Sequence, residues 1–158
     1  MTAPRAFPFN IRVYGIFLYE NKILVSDEYI HGKAITKFPG GGMHFGEGPH
    51  DCIRRELLEE TGLVFEVIQH FYTTDFFQPS AFDPRQQVIS IYYEVTTLHP
   101  DRLVTSEQKF DFRELKDGAQ SFRWIGVDEW KAETFTLPID RVVAGLLTAR
   151  LLNKVSKA

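Results

Sequence analysis

The sequence predicts a mixed α/β fold, and three observations carry that prediction. Runs of β-branched and aromatic residues recur as far as residue 125, a helical stretch without Gly or Pro follows a glycine cluster, and an apolar-striped helical stretch occupies 139–155. Residues 11–20 (IRVYGIFLYE) and 23–30 (ILVSDEYI) read as two strands of a hairpin turning at Asn21-Lys22. A turn at His31-Gly32-Lys33 leads to a short strand, AITKF, which stops at Pro39; at Gly40, Gly41 and Gly42 the chain is expected to leave the sheet. Pro49 suits a first helical turn, where a missing N–H costs nothing, and Gly62 supplies the stop, so a helix is predicted over 49–61.

Two further strand-like runs follow, at 63–77 and 87–98, separated by the loop QPSAFDPRQ. Charges crowd 100–120, which reads as a long surface loop, and SFRWI at 121–125 is a last short strand. Ile139, Val142, Val143, Leu146, Leu147 and Leu151 recur at helical spacing and predict an amphipathic helix.

Composition narrows the function classes. With 44% hydrophobic and 25% charged residues in 158 positions, the chain can bury a core, and 1–158 is expected to form one domain. A net charge of -3 offers no basic field for a nucleic-acid backbone, so polymeric DNA or RNA is not an expected partner. No apolar run approaches the roughly 20 residues of a membrane span, and the start MTAPRAFPFN lacks the pattern of a signal peptide. Cys52, the single cysteine, excludes an internal disulfide and suits a reducing, cytoplasmic setting.

The chemistry concentrates in the first helix. Glu56, Glu59 and Glu60 stand at i, i+3 and i+4, so they project from one side as a cluster of negative charge. Hard divalent cations relieve that repulsion, and Mg²⁺ in particular binds a few carboxylates while taking substrate phosphates as other ligands. Ile53 and Leu57 form the apolar stripe that packs this helix on a sheet. The glycine run permits a close turn and can offer a carbonyl, Gly41 foremost, to a metal. Arg55 reads as an orienting partner that forks onto carboxylate oxygens rather than as a substrate clamp.

Residues 41–63, GGMHFGEGPHDCIRRELLEETGL, resemble the Nudix box G-x5-E-x7-R-E-U-x-E-E-x-G-U at every defined position: Gly41, Glu47, Arg55, Glu56, Leu57, Glu59, Glu60, Gly62 and Leu63. The preceding FPGG and the later FRWIGVDEW also look like the pattern of the Nudix hydrolase family. The resemblance implies an α/β/α sandwich with a mixed central sheet between the box helix and the C-terminal helix. It implies metal-dependent hydrolysis of a diphosphate linkage, with Arg55, Glu56, Glu59 and Glu60 as catalytic residues and Gly41, Glu56, Glu59 and Glu60 at the metal. Magnesium is the expected ion, with manganese as the alternative, and one of the glutamates doubles as base.

The substrate end is less marked. Pro79 falls 16 residues after Leu63, a spacing that resembles the ADP-ribose pyrophosphatases, and Phe77 or Phe82 could sandwich a base. Lys37 and Arg85, with Arg12, are local cations available to an anionic ligand. A nucleoside diphosphate derivative of the ADP-ribose type is therefore expected slightly ahead of nucleoside triphosphates, with a non-catalytic nucleotide-binding module as the remaining alternative. Many family members carry a further glutamate just before the late Trp; here 119–123 read AQSFR, so a fourth carboxylate would come from Glu107 or Glu114. His31, His44, His50, His70 and His99 are scattered and receive no role, and homodimerisation is left open.

Overall fold

The computed structural model describes residues 8–157, so the reading of the first seven residues lies outside it. Its strands are β1 (Phe9–Ile16), β2 (Leu18–Tyr19), β3 (Lys22–Ile30), β4 (Lys33–Lys37), β5 (Gly40–Gly42), β6 (Glu66–Thr73), β7 (Gln87–Thr96) and β8 (Ala119–Gly126). The helices are α1 (Pro49–Thr61) and α2 (Pro138–Val155). One sheet runs β5-β1-β7-β6 and is mixed, because β1 and β7 are parallel while β5 and β6 join antiparallel. The other is antiparallel, with β2 and β4 on β3 and β8 paired along nearly all of β3. Among the described residues no helix is long and apolar enough to cross a membrane.

Strand alternation divides the core between two faces. Val13, Leu24, Tyr93, Val95 and Phe122 meet Cys52, Ile53 and Leu57 of α1. Tyr14, Ile16, Ile23, Val25, Tyr92 and Ile125 meet Ile139, Val143, Ala144 and Leu147 of α2. The helices therefore cover opposite faces, as the family resemblance implies.

Three local expectations change. Residues 11–20 are two strands: β1 runs beside β7, and only Leu18-Tyr19 makes the hairpin with β3, in register Leu18↔Ile23. Phe17, buried between them, carries the chain from one sheet to the other, a step invisible in a continuous apolar run. Gly40–Gly42 does not leave the sheets but rejoins them as edge strand β5, paired with Arg12–Tyr14. In α2 the buried stripe is Ile139, Val143 and Leu147, whereas Val142 and Leu146 are 40% and 45% exposed because they fall on the flank of that i, i+4 line.

The loop before β8 is anchored by a buried charge. Asp27 is fully buried and receives Nε and Nη2 of Arg123 at 2.6 and 3.1 Å, Thr36 Oγ1 at 2.7 Å and the Phe110 N–H at 3.1 Å. Removing the cation strands the carboxylate, so Arg123→Ala is expected to cost about 3–5 kcal/mol. Urea unfolding reads this directly, and a loss below about 1 kcal/mol would show that the remaining neutral donors suffice.

Candidate active site

Helix α1 begins where Pro49 follows Gly48, whose N–H is taken by the Asp51 carboxylate at 3.1 Å. It ends at Gly62, left-handed at φ 72°. Burying Cys52, Ile53 and Leu57 fixes its rotation and brings Glu56 and Glu60, which share that side of the helix, in toward the strands, while Glu59 is 57% exposed. The carboxylate of Glu56 lies against Gly41, so closely that a Cβ there would stand 2.6 Å from it. Any side chain at 41 would displace the glutamate.

Arg55 knits the box together. Its Nε and Nη2 grip Glu47 at 2.9 and 2.6 Å, Nη1 reaches Glu56 Oε1 at 2.9 Å and Glu59 Oε2 at 3.2 Å, and Nη2 also donates to the Gly42 carbonyl at 3.0 Å. One guanidinium thus ties β5, the loop after it and two of the three helix carboxylates. The Arg55 hydrogen bond, helped by the His44 N–H, holds the Glu47 carboxyl down to about 2. That bond to Glu47 in turn raises the Arg55 guanidinium above its ordinary value.

Glu60 sits differently. Its Oε2 is buried without a hydrogen-bond partner, and burial pushes the carboxyl up to about 7, against the pull of Lys37 and with the repulsion of Glu28 and Glu56. Lys37, 2% exposed, donates to Glu28 Oε1 at 2.8 Å and to the Gly40 carbonyl at 2.8 Å. Burial works against its charge, but Glu28, Tyr14 and Glu60 together raise it. Lys37 is therefore an internal ion-pair partner rather than an open cation waiting for a ligand. Glu28 escaped the sequence reading; the signal was an acidic pair, Asp27-Glu28, inside an otherwise apolar strand run.

Do these groups fit a divalent cation? Among the described residues no three His, Cys, Asp or Glu side chains converge ready for an ion. The donor chemistry nevertheless fits: Glu60 offers a buried, unpartnered oxygen, Glu56 is cradled on Gly41, and Glu59, 57% exposed, is held only by Arg55 through one oxygen at 3.2 Å. Of the two candidates for a fourth carboxylate, Glu114 shares with Glu60 a 690 Å³ groove that Asp111 also lines, while exposed Glu107 does not line it.

A second cavity, of 430 Å³, opens on the α2 face. Pro79 and Phe82 line it, as do Arg12 and Lys37, but Phe77 and Arg85 do not. Phe77 is 71% exposed, and Arg85 reaches back to Asp83 at 2.9 Å from an exposed position. Buried Asp140 also lines this cavity; burial raises its carboxyl to about 6, although Tyr92, Lys37 and the Phe38 backbone pull the other way. A folded value above the ordinary 3.8 means that the stability associated with this proton is complete below pH 3.8 and lost as pH rises through about 6. Asp140→Asn removes that loss, so its melting temperature relative to the parent is expected to rise between pH 4 and pH 7. A difference constant across that range would mean that Asp140 titrates normally.

The comparisons with known proteins bear on the family and the fold. The chain is 30% identical over 127 residues to the NAD-capped RNA hydrolase NudC of Vibrio parahaemolyticus, an alignment covering 80% of this chain and 41% of that protein. It spans less than half the length of the curated relatives it matches. Among solved structures it resembles a MutT NUDIX hydrolase from Burkholderia pseudomallei, at 14% identity and TM-score 0.65, covering 88% of this chain and 98% of that one. It also resembles the E. coli ORF135 protein, at 18% identity and TM-score 0.63, covering 90% of each chain. At those identities the structures establish the fold alone. The NUDIX domain family model matches residues 9–146, and with that span and every defined box position present from 41 to 63, the chain belongs to the Nudix hydrolase family.

Proposed function

We propose that this single-domain chain hydrolyses a diphosphate linkage in a nucleoside diphosphate joined to another group, with ADP-ribose-like compounds slightly ahead of nucleoside triphosphates. The observation that carries the proposal is the Arg55 clamp, which arrays Glu56 and Glu59 beside the unpartnered buried oxygen of Glu60. In this reading Glu56, Glu59, Glu60 and the Gly41 carbonyl hold Mg²⁺, with Mn²⁺ as a substitute. When bound, the ion supplies charge neutralisation of the diphosphate and an activated water.

The chain's own residues do the rest. Arg55 keeps the carboxylates aimed while Glu47 absorbs its remaining donors. Lys37, tied to Glu28 and Gly40, holds the edge of β5 in place and lends positive potential to the cavity it lines. The proton lost by the attacking water passes to one of the three helix carboxylates. Arg12, whose Nε donates to Tyr14 Oη at 2.6 Å on the cavity wall, is the cation best placed for a phosphate. The compact cavity and the net charge of -3 favour a small nucleotide over a polymer, and the buried lone thiol of Cys52 suits a cytoplasmic setting.

Steady-state comparison of ADP-ribose, NAD, sugar nucleotides and nucleoside triphosphates tests the substrate order. NAD belongs in that panel because the Vibrio relative is named for action on NAD-capped RNA. ADP-ribose is expected to lead. A kcat/KM for a triphosphate tenfold above it, about 1.4 kcal/mol of transition-state binding, would reverse the order and leave the family assignment intact.

A further inference from the structure

We propose that the 690 Å³ groove beside Glu60 seats the group on the far side of the diphosphate, and that it is built for an uncharged polyhydroxylated group, a sugar, rather than for a further phosphate. This rests on the diphosphate-hydrolase reading above and adds what stands beyond the scissile linkage. The groove begins at the last turn of α1, at Glu60 and Thr61, and is walled by the loop 103–116 and by β8. It shares no lining residue with the 430 Å³ cavity on the α2 face. Lys37, on the wall of that cavity, is close enough to Glu60 to act on its charge, so the box glutamates lie where the two spaces approach each other. A compound with its diphosphate at the box therefore has room on both sides. The groove wall is also fixed in place: the Phe110 N–H bonds buried Asp27 at 3.1 Å, and the Ser106 N–H bonds the Phe122 carbonyl at 2.8 Å.

The lining selects the class of group. Glu60, Asp111 and Glu114 set three carboxylates on the groove against two cations, and Lys116 already spends its charge on Glu114 at 3.1 Å. Even with Glu60 turned to a metal ion, Asp111 and Glu114 remain to repel a phosphate tail. Sugar hydroxyls, in contrast, donate to carboxylates and bring no charge. Ser121 lines the groove, and its Oγ is buried with no hydrogen-bond partner, so a hydroxyl beside it makes a bond that folding left unmade. Arg113, exposed and without an ion pair among the described residues, keeps a guanidinium to donate to ring and hydroxyl oxygens. Leu103, Val104 and Phe112 add the apolar surface on which the C–H face of a sugar ring packs.

Calorimetry on the unmodified chain, in Mg²⁺ and saturating AMP so that the nucleotide side is filled, compares phosphate esters that differ in the group they carry. Ribose 5-phosphate is expected to bind about tenfold more tightly than methyl phosphate, which lacks the sugar. Ribose 1,5-bisphosphate, which sets a second phosphate against Asp111 and Glu114, is expected to bind more weakly than ribose 5-phosphate. The double variant Arg113→Met with Ser121→Ala should lose most of the ribose advantage while binding methyl phosphate as the parent does. Methyl phosphate or the bisphosphate binding as tightly as ribose 5-phosphate to the unmodified chain would overturn the proposal, and so would a ribose advantage that survives in the double variant. Ribose-dependent binding without turnover of any diphosphate in Mg²⁺ would uphold the groove and remove the hydrolase reading. Turnover without any ribose preference would do the reverse.

Discussion

Glu59→Gln and Glu60→Gln are each expected to lower kcat by roughly a thousandfold, about 4 kcal/mol of transition-state stabilisation, while the fold persists. Glutamine keeps the volume and loses the charge, so the effect isolates the loss of an anionic ligand. The two differ in stability. Glu59 is 57% exposed and its replacement should be nearly silent in a melt. Glu60 is held up to about 7 by burial, which costs stability as pH rises through that value; Glu60→Gln should therefore melt higher than the parent at pH 8. Added Mg²⁺ should raise the melting temperature of the parent and do so much less for Glu60→Gln. Near-normal rates for both variants at saturating Mg²⁺ would remove α1 from the chemistry.

Adjacent glycines should fail in opposite ways. A Cβ on Gly40 would stand 2.2 Å from the Val13 carbonyl oxygen and 2.8 Å from Tyr14 Cα, and the residue has φ 137°, so both backbone and neighbour resist it. Gly40→Ala is expected to lose more than about 4 kcal/mol in denaturant unfolding or to fail to fold. At Gly41 the obstacle is the far end of Glu56, which can rotate aside. Gly41→Ala should keep a melting temperature near the parent's and lose roughly a hundredfold in kcat, about 2.7 kcal/mol, through the displaced carboxylate. A Gly41→Ala protein that is unstable yet fully active per folded molecule would contradict this reading of the Glu56 cradle.

Local chemistry was legible in the sequence where it is written in contiguous residues. Pro49, Gly62 and the Ile53/Leu57 stripe define α1 within a residue, and the i, i+3, i+4 spacing places Glu56, Glu59 and Glu60 together on one side of it. What was hidden depends on pairing across the chain. The break between β1 and β2 at Phe17 follows from two sheets competing for one apolar run. Three consecutive glycines read as loop, because strand β5 owes its place to register with Arg12–Tyr14 and to the Glu56 carboxylate rather than to side chains of its own. Glu28 and Asp140 are functional candidates only because Lys37, Gln120, Tyr92 and a cavity gather around them from up to 92 residues away.

Incubating the chain with ADP-ribose in ¹⁸O-labelled water, with Mg²⁺ and in parallel with EDTA, tests the central claim most directly. The account predicts AMP and ribose 5-phosphate only in the Mg²⁺ arm, with ¹⁸O in one of the two phosphates and none in the ribose or base. Product formation undiminished by EDTA, or no labelled phosphate from any diphosphate-linked nucleotide tried in the same way, would contradict it.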